Sequence, residues 1–268
     1  MTESIAGLAG LSVASVIAGA INSVAGGGTL VSFPALIAFG VPPVSANATN
    51  TAAVCPGSLS SAVAYRHDLP KQRTVLMTLL LPSLIGGLSG AWILAITSDR
   101  LFAQIVPFLI LFATLLFALR DPFARLLHLG AAGDENVSSL GRAWGFCFQL
   151  FVAAYGGYFG AGIGILMLAS LAIMGFHDIH RMNAVKTILG FLINGTALIY
   201  FIIRGLVVWH IALLMAAGAV VGGYAGARLA RRVDQRYLRI FIVTVGLIVS
   251  AWLFYRAGVS VPQPQNRL

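Results

Sequence analysis

The stretch SVAGGGTLVSFPAL, residues 23–36, sets three consecutive glycines and a proline inside a run that is otherwise apolar from residue 5 to residue 40. Each glycine in a helix interior costs about 1 kcal/mol relative to alanine, so three together predict that one helix stops and another starts. Gly26, Gly27, Gly28 and Thr29 then form the junction. A helix that starts inside a membrane presents N–H groups with no partner in a preceding turn. Such an N-terminus binds an anion without a basic side chain. Glycines also allow close helix crossing, so this stretch by itself leaves packing and ligand binding both open.

Composition decides the solvent around that junction. Of 268 residues, 59% are hydrophobic and 9% charged, with mean hydropathy +0.91, whereas soluble domains are about 25% charged. The chain reads as one integral membrane domain over residues 1–268, all-α and polytopic. Apolar segments fall near 5–23, 29–40, 45–65, 74–97 and 101–119, then near 142–158, 162–175, 181–203, 208–230 and 237–255. A polar linker at 121–141 separates a first half, 5–120, from a second, 142–257, and a short tail covers 258–268. The formal charge of +9 sits between apolar segments, where it reports topology rather than nucleic-acid binding. Cys55 and Cys147 lie in apolar stretches without metal-ligand spacing, so both are expected as buried thiols. No Lys or Arg precedes Arg66, so the first segment lacks the basic flank of a cleaved signal peptide and is expected to be retained.

A single shift along the chain, the one that carries Ala25 onto Ala161, superposes the halves without a gap. It also places Gly26, Gly28 and Leu30 on Gly162, Gly164 and Leu166, and Asn47, Ala48 and Thr51 on Asn183, Ala184 and Thr187. Gly86, Gly87, Gly90 and Ala91 fall on Gly222, Gly223, Gly226 and Ala227. Self-similarity at a fixed period marks an internal repeat. The basic residues give orientation. Arg66, Lys71 and Arg73 follow the third segment, and only Arg100 follows the fourth. In the second half Arg204 stands alone after the third segment, while Arg228, Arg231, Arg232, Arg236 and Arg239 crowd the next connection. By the positive-inside rule, equivalent loops face opposite sides. The expectation is two inverted-topology repeats of about five segments each, with both termini periplasmic and the linker cytoplasmic. Segments 29–40 and 162–175 are short for a full crossing, so re-entrant helices stay open as an alternative.

In an inverted pair, broken helices at corresponding places point to a substrate site near the midplane. The first break is Gly26–Thr29 and the second contains Gly160, Gly162 and Gly164. Polar residues follow each: Asn47, Asn50 and Thr51 after Pro42-Pro43, and Asn183, Lys186 and Thr187 after His177-Asp178. Pro-Pro followed by Ser45, and Asp178, read as helix start signals. Amides and hydroxyls deep in a membrane helix need a partner or a cavity. Lys186 lies about two turns, roughly 9 Å, inside its helix, where a cation must be paired, solvated or snorkelled.

All eight acidic residues lie at or beyond segment ends. A core without carboxylates argues against a cation carrier and for an anionic substrate. His67, His177, His180 and His210 lie near segment ends and read as interfacial. Ser58, Ser60 and Ser61 have no Asp/His arrangement nearby, and HExxH, Walker and GxSxG patterns are absent, so catalytic residues, metal and cofactor are all expected to be none.

The segments INSVAGGGTLVSFPALIAFGVPPVSANATNTAA and GYFGAGIGILMLASLAIMGFHDIHRMNAVKT resemble the sulfite exporter TauE/SafE family over nearly the whole chain. The resemblance implies an inner-membrane, multi-pass permease for a sulfur-containing anion such as sulfite, an organosulfonate or thiosulfate, usually an exporter. Pro34 fits the proline the family shows after the first break, and the same shift sets Ser170 at the matching place in the second half. The sequence thus reads as a secondary transporter, not an enzyme, whose partners are a small sulfur oxyanion and the lipid bilayer. An anion channel, a membrane-embedded enzyme or assembly subunit, and a homodimeric assembly remain open beside it.

Overall fold

The computed structural model describes residues 5–68, 73–119, 139–174, 179–230 and 235–259. These form ten α-helices and no strand: α1 Ile5–Val24, α2 Thr29–Ala38, α3 Pro43–Ala64, α4 Arg73–Ile96, α5 Asp99–Ala118, α6 Ser139–Tyr158, α7 Ile163–Ile173, α8 Ile179–Ile203, α9 Trp209–Leu229 and α10 Gln235–Val259. A short 3₁₀ turn, Arg66–Asp68, follows α3. The chain is an all-α polytopic membrane protein. Each apolar segment read from the sequence is a helix. Most of the linker 121–141, the tail from 260, His177 and Asp178 lie outside the described residues.

Among the described residues, five helices are long and apolar enough to cross a bilayer: α1, α5, α9 and most of α4 and α8. Helix α3 has the length, 22 residues, but carries Asn, Thr and Ser along a buried face. It packs on α1, α2, α5, α8 and α9. By contrast α2 and α7, at 10 and 11 residues, reach only about 15–17 Å at 1.5 Å per residue. They fall short of a full crossing, which agrees with the re-entrant alternative.

Helix contacts correspond between the two halves of the chain. Helix α1 packs on α9 and α4 on α6, α3 packs on α9 and α4 on α8, and α1–α2 contacts match α6–α7 contacts. Exchanging each helix for the one five places away returns these pairings. The register differs from the gapless shift, however. The helix starts pair Ile5 with Ser139 and Thr29 with Ile163 at one spacing. They pair Pro43 with Ile179, Arg73 with Trp209 and Asp99 with Gln235 at another, longer by two positions. The run from the start of α7 to the start of α8 is thus two residues longer than that from α2 to α3. Gly26 therefore corresponds to Gly160, not Gly162, and both have positive φ, +83° and +81°. Each ends its helix with the same backbone bond, Gly26 N–H to Ile21 O at 3.0 Å and Gly160 N–H to Tyr155 O at 3.3 Å, the C-terminal motif that left-handed glycine permits. In this register Leu168, not Ser170, answers to Pro34.

Glycine lets neighbouring helix backbones touch. Leu150 O lies against Gly86 and Ala154 O against Gly90, as Val16 O lies against Gly222 and Ala20 against Gly226. Gln149 Nε2 also donates to Ser83 Oγ at 2.9 Å across α4 and α6.

The Pro-Pro start signal is where α3 begins: Pro42 is the N-cap, with no side-chain cap bond, and Pro43 opens the helix. The Val44 N–H donates instead to Asp99 Oδ1 at 2.8 Å, a carboxylate set at the positive end of α3. Replacing this charge-assisted partner in Asp99→Ala is expected to cost about 1–2 kcal/mol, read as a lower melting temperature of the purified protein. Cys55 is buried as expected, but Cys147 is exposed. Its position on α6 turns it outward, and a thiol behaves as a small apolar group that such a surface tolerates.

Candidate functional site

The two breaks meet. Gly26 and Gly164 touch backbone to backbone, so that a Cβ on either would overlap the other's Cα. Gly27 faces the Phe117 ring, and Gly28 lies against Ala18 O. Three α2 amides are already paired, Leu30 N–H to Gly27 O at 3.0 Å, Val31 N–H to Gly28 O at 2.9 Å and Ser32 N–H to Gly28 O at 3.1 Å. The Ser32 bond is the ordinary first turn of the helix, but for Leu30 and Val31 the expectation of an unpaired N-terminus fails, because a tight turn at the glycines brings their carbonyls underneath. In α7 the Ile165 N–H is taken in the same way by Gly162 O at 3.1 Å.

Beside this contact lies a small, partly open cavity, between the end of α1, the C-terminal half of α3, the start of α7 and the stretch of α8 from Lys186 to Asn194. From the predicted residues it gathers Gly26, Gly164, Lys186 and Thr187. It adds four polar residues not assigned from sequence: Asn22, Ser58, Ser61 and Asn194. The remaining wall is Ile163, Met167 and Gly190. Ser58 and Asn194 are counterparts in the register that pairs Pro43 of α3 with Ile179 of α8. That pairing of polar with polar is the available signal, and weighing the serines only as nucleophiles misses it.

Lys186 is 3% exposed, and its Nζ donates to Ser23 O at 3.1 Å. Ser23 is in the last turn of α1, where carbonyls have no intrahelical partner and the helix carries partial negative charge. The ammonium is thus a cap on the opposite repeat's broken helix. Its repeat counterpart by register is Asn50, but Asn47 makes the equivalent contact, Nδ2 to Tyr158 O at 3.0 Å, at the last residue of α6. In both halves the third helix holds the break of the other half.

Asn47, Asn50 and Thr51 are not among the residues lining this cavity. Asn50 bridges α3 to α2: its Nδ2 donates to Thr29 Oγ1 at 3.3 Å, and its Oδ1 accepts from the Ser32 hydroxyl at 2.5 Å. Thr51 and Thr187 bond back into their own helices, to Asn47 O at 3.0 Å and Ala184 O at 2.9 Å. Asn183 is buried, and its Oδ1, like that of Asn47, has no hydrogen-bond partner among the described residues. An acceptor so placed suits water or a protonated ligand oxygen rather than a bare oxyanion. Gly160 and Gly162 shape the second break and lie outside the cavity lining.

Two apolar clusters lie along α3. Toward its end Val24, Tyr65, Ala184, Ala227 and Ala230 pack together. Toward the start of α3, Phe33, Phe102, Tyr158 and Phe159 pack edge to face with centroids 5.4–6.3 Å apart. Among the described residues no group of three or more His, Cys, Asp or Glu could hold a metal ion.

The family described as Sulfite exporter TauE/SafE matches residues 11–253. The probable membrane transporter protein YfcA of Escherichia coli K12 is 30% identical over 245 residues, covering 90% of this chain and 87% of that protein. A probable membrane transporter protein of Haemophilus influenzae is 27% identical, covering 90% of this chain and 92% of its own length. The probable membrane transporter protein ORF9 of a Sinorhizobium species is 30% identical, with 91% and 90% covered. No solved structure matches the chain. A break in each half, the polar third helices and a match running through nine-tenths of the length converge: the chain belongs to the sulfite exporter TauE/SafE family of membrane transporters.

Proposed function

We propose that the protein is a secondary carrier for a small sulfur-containing anion, sulfite or an organosulfonate, held at the Lys186 cavity and moved across the inner membrane by alternating access. One observation carries this reading: a lysine buried to 3% exposure lines a cavity whose other polar groups, Asn22, Ser58, Ser61, Thr187 and Asn194, are neutral amides and hydroxyls. Amide and hydroxyl donors can replace part of the hydration shell of an oxyanion, and one cation balances one negative charge. Ile163 and Met167 form the apolar part of the wall. The family name supplies export as the direction.

Inverted topology is supported by helix direction. Contacts of Ser12 with Gly218, Val16 with Gly222 and Ala20 with Gly226 make α1 and α9 run the same way, although α9 is the repeat counterpart of α4. Arg66 and Arg228 then mark one face, which the positive-inside rule makes cytoplasmic and which leaves both termini periplasmic.

The test is a melting-temperature panel on purified protein with sulfite, sulfoacetate, thiosulfate, sulfate and taurine, followed by flux in proteoliposomes. A ligand that binds only the folded state stabilises it by RT ln(1 + [L]/Kd). Sulfite or sulfoacetate is expected to raise the melting temperature in a saturable manner, and zwitterionic taurine to raise it less. Accumulation against a gradient distinguishes a carrier from an anion channel. A panel with no response to any anion overturns the reading.

A further inference from the structure

The cavity is one-sided, and the repeat register shows what its mirror image would be. Ile163, Gly164 and Met167 on α7 correspond to Thr29, Leu30 and Phe33 on α2, while Lys186, Thr187 and Gly190 on α8 correspond to Asn50, Thr51 and Val54 on α3. In the first repeat that space is closed. Phe33, at the Met167 position, is fully buried against Phe159 and Phe102, and Asn50 ties α3 to both hydroxyls of α2. The α7 residues answering to Thr29 and Ser32 are Ile163 and Leu166, which offer no hydroxyl. Lys186 reaches across to Ser23 O instead, and the cavity lies beside α7. One short helix is bridged to its neighbour by polar bonds, and its counterpart presents Ile163 and Leu166 at the same level. Ser58 and Asn194 are counterparts of each other, and both line the cavity. Exchange of the repeats therefore carries this pair onto itself.

We infer that a second anion cavity, lined by Asn50, Thr51 and Val54, opens on the opposite face when the Asn50 bridge to Thr29 and Ser32 breaks, and that Ser58 and Asn194 contact the anion in both cavities. The inference rests on the carrier reading. The bridge is a latch: it consists of two hydrogen bonds between neutral groups, the kind of interaction whose loss separates a major state from one populated at roughly 0.1–10%. Lys186 belongs to one cavity and Asn50 to the other, so the shared pair keeps hold of the anion as these two partners change.

The test uses the full chain in proteoliposomes, with Cys55→Ala and Cys147→Ala as background. Thr187→Cys and Thr51→Cys are the reporters, a membrane-impermeant methanethiosulfonate is the probe on either face, and sulfoacetate is the protecting anion. Thr187→Cys should react from one face and Thr51→Cys scarcely from either. Ser32→Ala should speed Thr51→Cys labelling by at least about tenfold from the opposite face and slow Thr187→Cys, as a shift in a two-state population requires. Thr29→Ala should do the same and covers the case in which Ser32→Ala fails to fold. Asn194→Ala should weaken protection at both reporters, and Lys186→Met at Thr187→Cys alone. If both latch variants leave Thr51→Cys unlabelled, or expose it on the same face as Thr187→Cys, the mirror cavity is overturned. An Asn194→Ala effect confined to one reporter overturns the shared pair. Latch variants that switch faces without sulfoacetate protection at either reporter refute the anion reading and leave the mirror cavity standing.

Discussion

Gly164→Ala is expected to abolish transport, lowering flux by more than about tenfold, and to destabilise the folded protein by about 1–3 kcal/mol, the usual range for forcing one extra carbon into a packed interior. Gly164 stands in the first turn of α7 with no unusual φ, so the substitution introduces no backbone strain. Its effect comes from the approach of Gly26, whose Cα occupies the place of the new Cβ. Backbone cannot rotate away as a side chain can, so the two breaks must separate and the cavity beside them must change shape. Two companion variants isolate the cause. Gly160→Ala meets only Gly156 O at 3.2 Å but sits at φ +81°, so it measures left-handed strain alone, about 1–2 kcal/mol. Gly190→Ala meets nothing within 4 Å and lies inside α8, where alanine is favoured by about 1 kcal/mol. Melting temperatures should fall in the order Gly190→Ala, Gly160→Ala, Gly164→Ala, and Gly26→Ala, which combines strain with overlap, should be lowest. Wild-type melting and flux in Gly164→Ala would mean that the breaks do not touch in the working protein.

The same residues show how much the sequence could tell. Three glycines at 26–28 and Gly160, Gly162 and Gly164 located both breaks, because glycine penalises a helix locally and needs no knowledge of neighbours. Helix limits were legible for the same reason, down to the two segments too short to cross. The register between halves was not. Small residues recur throughout this chain, so Gly26 matches Gly162 and Gly160 alike by identity, both have positive φ, and only the longer run from α7 to α8 reveals the two extra positions. Lys186 was recognisable as a costly charge, but its partner Ser23 O lies 163 residues away, a backbone atom that residue identity does not mark. Asp99 at the start of α3 is hidden likewise by 55 residues of intervening chain. Asn50 and Lys186 occupy equal positions with unequal roles, because the hydroxyls that engage Asn50 are isoleucine and leucine in the other half.

Lys186→Met should remove anion binding while leaving the protein folded. Lys186 places a buried ammonium at the cavity wall, and in a membrane interior an anion beside a positive charge gains far more from it than it would in water. Loss of the charge should weaken sulfoacetate or sulfite binding by at least about 100-fold, some 2.8 kcal/mol at about 1.4 kcal/mol per tenfold. The ligand-dependent rise in melting temperature should vanish at concentrations that saturate the wild type. Stability without ligand moves differently. Methionine keeps the length and the apolar stem of lysine and deletes a buried charge, which is often neutral or stabilising. Against that, Ser23 O loses a donor, at about 1–3 kcal/mol for an unsatisfied buried acceptor. The two terms oppose, so the unliganded melting temperature should shift far less than binding does. That split separates a ligand-binding lysine from a purely structural cap, for which stability would fall and the response of any remaining folded protein would be unchanged. Lys186→Arg supplies the complementary case: it retains the charge and the donor to Ser23 O but spreads its hydrogen bonds over a planar fork, so it should recover stability fully and binding only in part. An unchanged sulfoacetate midpoint in Lys186→Met would remove Lys186 from the site.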